Sequence, residues 1–211
     1  KVKLGQGAFA TVWRGVDRRD ESVVAIKQLD KAQLRIRGLY QEDIEREIDV
    51  MQACQHTNLI RLLDRFEDMR HIFLAIEYCD GGDFGDKLKE RGAYLDDMEA
   101  ASWMHDICSA IAVLHMKGVC HRDVKPDNFM VSRHKLKLAD FGLAVFVQPG
   151  VLLTDKWGTP AFMAPEQHLL PMRSRGYSFP VDMWAAGVTM HMMLHGGRQP
   201  FFDSYGNLDI R

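Results

Sequence analysis

Hydrophobic residues change their spacing at the glycine-broken stretch "DGGD", Asp80 to Asp83. Upstream of it, "ATVWRGVD" and "SVVAIKQL" are rich in β-branched and aromatic residues and are separated by the turn-like "RRDE". Two further strand candidates follow, "LIRLLDRFED" and "HIFLAIEYC". Between the pairs, "QEDIEREIDVMQAC" sets Ile44, Ile48 and Met51 at helical intervals. Downstream the pattern becomes helical. "LDDMEAASWMHDICSAIAVLHMKG" aligns Met104, Ile107, Ile111 and Leu114 on one stripe, with Asp96 or Asp97 able to cap its start and Gly118 suited to its end. Short strands at "NFMV" and "LKLAD" lead into an irregular stretch from Phe141 to Pro165, then to a helix over Met183–Leu194. A strand-rich first part joined near Cys79–Gly82 to a helix-rich second part is an α+β layout, with a cleft expected at the junction.

Composition removes several function classes. Of 211 residues, 27 are Lys or Arg and 29 are Asp or Glu, a net charge of −2, so no broad basic surface awaits nucleic acid or anionic lipid. The apolar run "MWAAGVTMHMML" is interrupted by His191 and too short to span a bilayer; it predicts a buried helix instead. No leader of the basic-then-apolar kind opens the chain. Cys54, Cys79, Cys108 and Cys120 form no C-x-x-C pair, which points to reduced thiols and a cytoplasmic setting.

Five short stretches carry chemistry. In "LGQGAFATV" (Leu4 to Val12), Gly5 and Gly7 allow backbone to approach a phosphate where a Cβ would intervene. The β-like "TVWRGV" that follows argues against a dinucleotide fingerprint, which would open a helix. "VAIK" places the Lys27 ammonium on a strand, able to grip phosphate oxygens. Glu47 on the next helix is its best placed partner, with Glu42, Glu45 and Asp49 as alternatives by charge. In "CHRDVKPDN", Asp123 can accept a proton from an attacking hydroxyl, Lys125 can neutralise charge on the transferred group, and Asn128 offers a neutral oxygen to a cation. In "LADFGLA", Asp140 offers a carboxylate to a hard cation such as Mg²⁺.

In that order these motifs resemble the catalytic domain of eukaryotic protein kinases, and the likeness runs over nearly the whole chain. It implies a two-lobed fold: a small β-rich N-lobe over 1–78, a hinge over 79–82, and a larger, mainly helical but incomplete C-lobe over 83–211. It implies ATP and Mg²⁺ as cofactors. Leu4, Gly5, Gln6, Gly7, Ala8, Phe9, Ala10, Thr11 and Val12 would cover the nucleotide phosphates, and Lys27 would pair with Glu47. Asp123 would be the catalytic base beside Lys125. Asn128 and Asp140 would hold the metal. Val12, Ala25 and Met130 would enclose the adenine, Ile76 would guard the pocket, Glu77 and Cys79 would present hinge backbone, and Asp83 and Asp127 would complete the nucleotide side. "APE" (Ala164 to Glu166) would close the activation segment, and "DMWAAG" resembles the buried helix that anchors the catalytic loop.

The lysine in "HRDVKPDN" and the "GTPAFMAPE" stretch resemble Ser/Thr kinases, with Thr159 expected to bond Asp123 and Lys125. "EYCDGGDFGDKL" and "DNFMV" resemble the calcium/calmodulin-dependent and calcium-dependent kinase group, so calcium control, if any, would lie outside this chain. The expected partners are ATP and protein substrates bearing Ser or Thr, with an upstream arginine favoured by Asp83 and Asp127. Asp155 stands where such kinases often carry a phosphate and is expected to meet Arg122; Thr154 beside it is the competing phosphosite. Ala10 replaces the third glycine of the phosphate loop. Glu166 is expected to be a buried carboxylate without its usual arginine. A nucleotide-binding scaffold without catalysis is the alternative reading, opposed by the presence of Lys27, Asp123, Asn128 and Asp140 together.

Overall fold

A computed structural model describes residues 2–7, 10–91, 95–203 and 207–208. Ala8 and Phe9 of the glycine-rich stretch lie outside these residues. The first part is a five-stranded antiparallel sheet of β1 (Val2–Gln6), β2 (Ala10–Val16), β3 (Val23–Asp30), β4 (Leu62–Glu67) and β5 (His71–Glu77), in the order β1-β2-β3-β5-β4. Val12 sits opposite Lys27 across β2 and β3, and Ala25 opposite Ile76 across β3 and β5; alternation sends Lys27 and Ala25 to one face of the sheet. Against that face lies the helix Gln41–Ala53, and before it a six-residue helix, Lys31–Ile36, which we number α2 and α1. Ile44, Ile48, Leu29, Leu34, Ile72 and Leu74 make the core between sheet and helices.

The sequence pattern did not announce α1. It starts immediately after β3, where the Asp30 carboxylate accepts the backbone amides of Ala32 and Gln33 and so turns strand into helix without a loop.

The second part holds α3 (Phe84–Arg91), α4 (Asp97–Met116), the short strand β6 (Val119–Cys120), the hairpin β7 (Phe129–Ser132) and β8 (Lys135–Leu138), β9 (Val145–Phe146), α5 (Pro165–His168) and α6 (Pro180–Leu194). The expected stripe of α4 is buried at Ile107, Ile111 and Leu114, and Gly118 ends the turn with φ +72°. Of the two candidate caps, Asp96 is the one used: its side chain accepts the amide of Glu99 at 2.8 Å. Replacing Asp96 by Ala removes that acceptor. We expect a loss of about 1 kcal/mol, read as a lower urea midpoint with an unchanged slope.

One expectation is corrected here. The helix α6 is not buried all round: Val181, Ala185, Ala186, Val188 and Met193 face the core, whereas Met183, Trp184 and Met190 are 47%, 37% and 45% exposed. It packs against α4 on one side, and on its open side Trp184 stacks on Phe201 with ring centroids 5.4 Å apart. All four cysteines are free. Among the described residues, no helix is long and apolar enough to cross a membrane.

Candidate active site

Lys27 leaves the centre of the sheet and meets Glu47 of α2, Nζ to Oε1 2.6 Å. Glu47 is chosen over its neighbours by helical phase. It is buried beside Ile48 and Met51, whereas Glu45 points outward and is taken by the Arg65 guanidinium at 2.5 and 2.7 Å. On its other side Lys27 reaches Asp140 Oδ1 at 3.5 Å. A buried ion pair of this kind contributes little net stability, because desolvating both charges offsets their attraction. Burial pulls the Lys27 ammonium toward neutrality, but the Glu47 and Asp140 charges outweigh it and hold the group protonated well above its ordinary value.

Asp140 lies two residues past the end of β8. Its backbone oxygen lies 2.6 Å from His121 Nε2 and its carboxylate accepts the amide of Gly142 at 3.1 Å. The Lys27 charge keeps that carboxyl below the ordinary carboxylate range, against a smaller upward pull from burial. Phe141 is buried and meets the His121 ring edge to face, with centroids 5.7 Å apart. The Ala139 amide donates to the Asn128 carbonyl at 2.8 Å, which ties Asp140 to the catalytic-loop candidate.

In that loop Asp123 is surrounded by donors. Its Oδ1 accepts from the Thr159 amide at 2.9 Å and hydroxyl at 2.7 Å; its Oδ2 faces Lys125 Nζ at 2.9 Å and Asn128 Nδ2 at 3.0 Å. Lys125 also donates to Thr159 Oγ1 at 2.7 Å, so the hydroxyl accepts from the ammonium and donates to the carboxylate, as expected. Burial pulls the Asp123 carboxyl upward, but hydrogen bonds from Thr159 and Lys125 win and leave it below its ordinary value. The group is a carboxylate at neutral pH.

The loop itself hangs from α6. Asp182, 1% exposed, accepts the amides of His121 and Arg122, both at 2.8 Å, and lies 2.9 Å from His115 Nε2. This fixes Arg122 at φ +68°, a conformation that costs a non-glycine residue on the order of 1–3 kcal/mol and persists only where its surroundings impose it. Gly158 passes so close that a Cβ there would lie 2.5 Å from the Arg122 carbonyl oxygen. Anchoring of the loop by the "DMWAAG" helix was the expectation; the individual contacts of Asp182 with His115 and with the His121 and Arg122 amides went beyond it. Their one signal was a lone carboxylate inside the apolar "PVDMWAAG".

The remaining candidates fall as follows. Leu4, Gly5, Gln6, Gly7, Ala10, Thr11 and Val12 form the β1–β2 hairpin, closed by the Gly7 amide on the Ala10 carbonyl at 2.8 Å. Ala25 is buried on β3 and Met130 sits on β7, bridged to Asp83. Cys79 is buried, and the Glu77 side chain is engaged by Lys137 at 3.1 Å and by the Arg61 amide at 2.8 Å. Asp83 accepts the Asp86 amide at 2.9 Å, and Lys89 pairs with Asp127 at 3.4 Å.

Two expectations fail. Arg122 does not meet the Asp155 carboxylate: its Nε donates to the Leu143 carbonyl at 2.6 Å, and Asp155 is exposed with no ion pair among the described residues. Glu166 is half-buried rather than buried among the described residues.

Comparison with known proteins agrees with the geometry. The model of the protein kinase domain matches residues 1–210. The serine/threonine-protein kinase DCLK3 of Mus musculus is 37% identical over 198 residues, 92% of this chain and 24% of that protein. Calcium-dependent protein kinase 10 of Arabidopsis thaliana is 36% identical over 199 residues, 92% of this chain and 35% of that protein. Calcium/calmodulin-dependent protein kinase type 1 of Macrobrachium nipponense is 35% identical over 208 residues, 96% of this chain and 57% of that protein. The chain therefore spans between about a quarter and just over half the length of these relatives.

Proposed function

Because the chain belongs to the protein kinase family, we propose that the whole protein transfers the γ-phosphate of ATP to serine or threonine hydroxyls of protein substrates. The observation that carries this reading is the meeting of two groups from distant parts of the chain. Lys27, Glu47 and Asp140 form one cluster, Asp123, Lys125 and Asn128 the other, and the Ala139–Asn128 hydrogen bond joins them. We read residues 1–78 and 83–211 as the two lobes, with 79–82 as the hinge between them.

The residues fit a nucleotide-bound magnesium ion. The Asp140 side chain is 53% exposed and ionised, and Asn128 has spent its NH₂ on the Asp123 carbonyl and carboxylate, leaving its amide oxygen for a hard cation. When bound, ATP and Mg²⁺ supply the phosphoryl group and neutralise its oxygens. Lys27, oriented by Glu47, binds phosphate oxygens. The β1–β2 hairpin covers them, and Ala25, Met130 and the backbone of Glu77 and Cys79 receive the base. Asp123 orients the acceptor hydroxyl and takes its proton. A carboxylate held below its ordinary pKa is a weak base, so it takes the proton late, once the bond to phosphorus is forming. Lys125 offsets charge on the moving group.

Asp83 and Asp127 would favour an arginine upstream of the acceptor. The test uses a peptide carrying one serine with an arginine before it, the same peptide with tyrosine as acceptor, and a third lacking the arginine. We expect label from ATP on the serine peptide and essentially none on the tyrosine peptide. Loss of the arginine should raise KM about tenfold, the worth of one charge-assisted contact. No label on any serine or threonine peptide would overturn the reading.

A further inference from the structure

The stretch from Asp140 to Glu166 must be held still for Thr159 to brace Asp123, and no ion pair between Arg122 and Asp155 does this; Arg122 meets the stretch at the Leu143 carbonyl, sixteen residues before Thr159. A different strap is present. Leu153 and Tyr177 exchange both backbone hydrogen bonds, Leu153 N to Tyr177 O at 2.8 Å and Tyr177 N to Leu153 O at 2.9 Å. Two residues on, the Tyr177 hydroxyl donates to the Asp155 carbonyl at 2.8 Å, and the Trp157 amide donates to the same oxygen at 3.2 Å. Tyr177 is 2% exposed. Burial raises its phenol above the ordinary value and so keeps the proton it donates; the adjoining Arg122 guanidinium opposes that shift. Gly176 lets the strands approach, since a Cβ at its φ of +131° would stand 2.7 Å from the Leu153 carbonyl oxygen.

From the strap the chain runs only two residues past Trp157 to Thr159, with Gly158 lying on the Arg122 carbonyl. Tyr177 is itself five residues before Asp182, which holds the amides of His121 and Arg122. A single stretch, 177–182, thus grips both the loop bearing Asp123 and the segment bearing Thr159.

We infer that Tyr177 is a positioning residue for phosphotransfer. Through its hydroxyl on the Asp155 backbone it fixes the segment that presents Thr159 to Asp123, and the Asp155 side chain takes no part. This rests on the kinase reading above, but its structural half can be read without any activity.

The experiment compares intact protein with Tyr177→Phe and Asp155→Asn. Phenylalanine keeps the ring in its buried place and removes the hydroxyl, with its donation to the Asp155 carbonyl and its contact with the Arg122 guanidinium. The first readout is tryptic cleavage after Lys156, followed by mass spectrometry and scaled to cleavage after the exposed Arg133 in the β7–β8 turn. Loss of one hydrogen bond should raise the Lys156 rate about three- to tenfold in Tyr177→Phe and leave it unchanged in Asp155→Asn. The second readout is kinetic. In Tyr177→Phe we expect kcat to fall by a similar factor with KM for ATP unchanged, and in Asp155→Asn neither to move, before or after phosphatase treatment.

Unchanged cleavage in Tyr177→Phe, or a loss confined to Asp155→Asn, would overturn the inference. Absence of kinase activity in the unmodified protein, with faster Lys156 cleavage in Tyr177→Phe, would sink the functional reading while leaving the strap intact.

Discussion

Asp123→Asn should lower the phosphotransfer rate by on the order of 10²–10⁴. The substitution is nearly isosteric, so the loss reads chemistry. Asparagine can still accept from the Thr159 amide and hydroxyl through its oxygen. Its NH₂, however, would then face Lys125 Nζ and Asn128 Nδ2 across distances that now measure 2.9 and 3.0 Å, setting donor against donor. No atom remains to take the acceptor proton. KM for ATP should change little, because Lys27, Glu47 and Asp140 lie on the other side of the site. Initial rates with labelled ATP measure this, with a thermal melt to show that the variant is folded. Equal turnover in the two proteins would remove Asp123 from the mechanism.

Asp182→Ala carries the second large effect, and it falls on stability as well as rate. One side chain that is 1% exposed satisfies two backbone amides and an imidazole nitrogen. Alanine leaves the two buried amides without that acceptor and the part-buried imidazole without its partner. Each buried amide left without a partner costs about 1–3 kcal/mol, so the two together cost about 2–6 kcal/mol. Urea unfolding should show the midpoint shift. Arg122, no longer held at positive φ, would relax toward ordinary backbone, and Asp123 would move with it. Activity should therefore fall even where the fold survives. A variant as stable and as active as the original would show that the loop is held by other contacts.

Much of this arrangement could be read from the residues because local chemistry and periodicity agree there. The strands around "TVWRGV" and "VVAIK" are rich in β-branched and aromatic residues, as a sheet favours, and Asp96 with Gly118 marks the ends of α4. The choice of Glu47 over Glu45 followed from helical phase, since Glu47 neighbours Ile48 on the buried side. What could not be read depends on tertiary contact. A six-residue helix such as α1 has too few turns to show a period. The exposed stripe of Met183, Trp184 and Met190 is as apolar as the buried side of α6, so pattern alone could not separate them. The pairing of Asp155 with Arg122 was inferred from charge and position. In the structure Arg122 turns to the Leu143 carbonyl, and an uncharged contact from Tyr177 holds Asp155 instead. Hydrogen bonds to backbone carry no residue-type signature at the accepting position, so that strap was invisible before the fold was known.

The dependence of the Asp123 loop on Asp182 has a consequence for synthesis. The anchoring carboxylate lies some sixty residues later in the chain. At ordinary elongation rates it leaves the ribosome roughly 3–12 s after the loop does. Throughout that interval a nascent chain already displays the sheet with Lys27 and the "HRDVKPDN" stretch, yet lacks the acceptor for the His121 and Arg122 amides. Translation must reach α6 before the Asp123 loop can take its working shape.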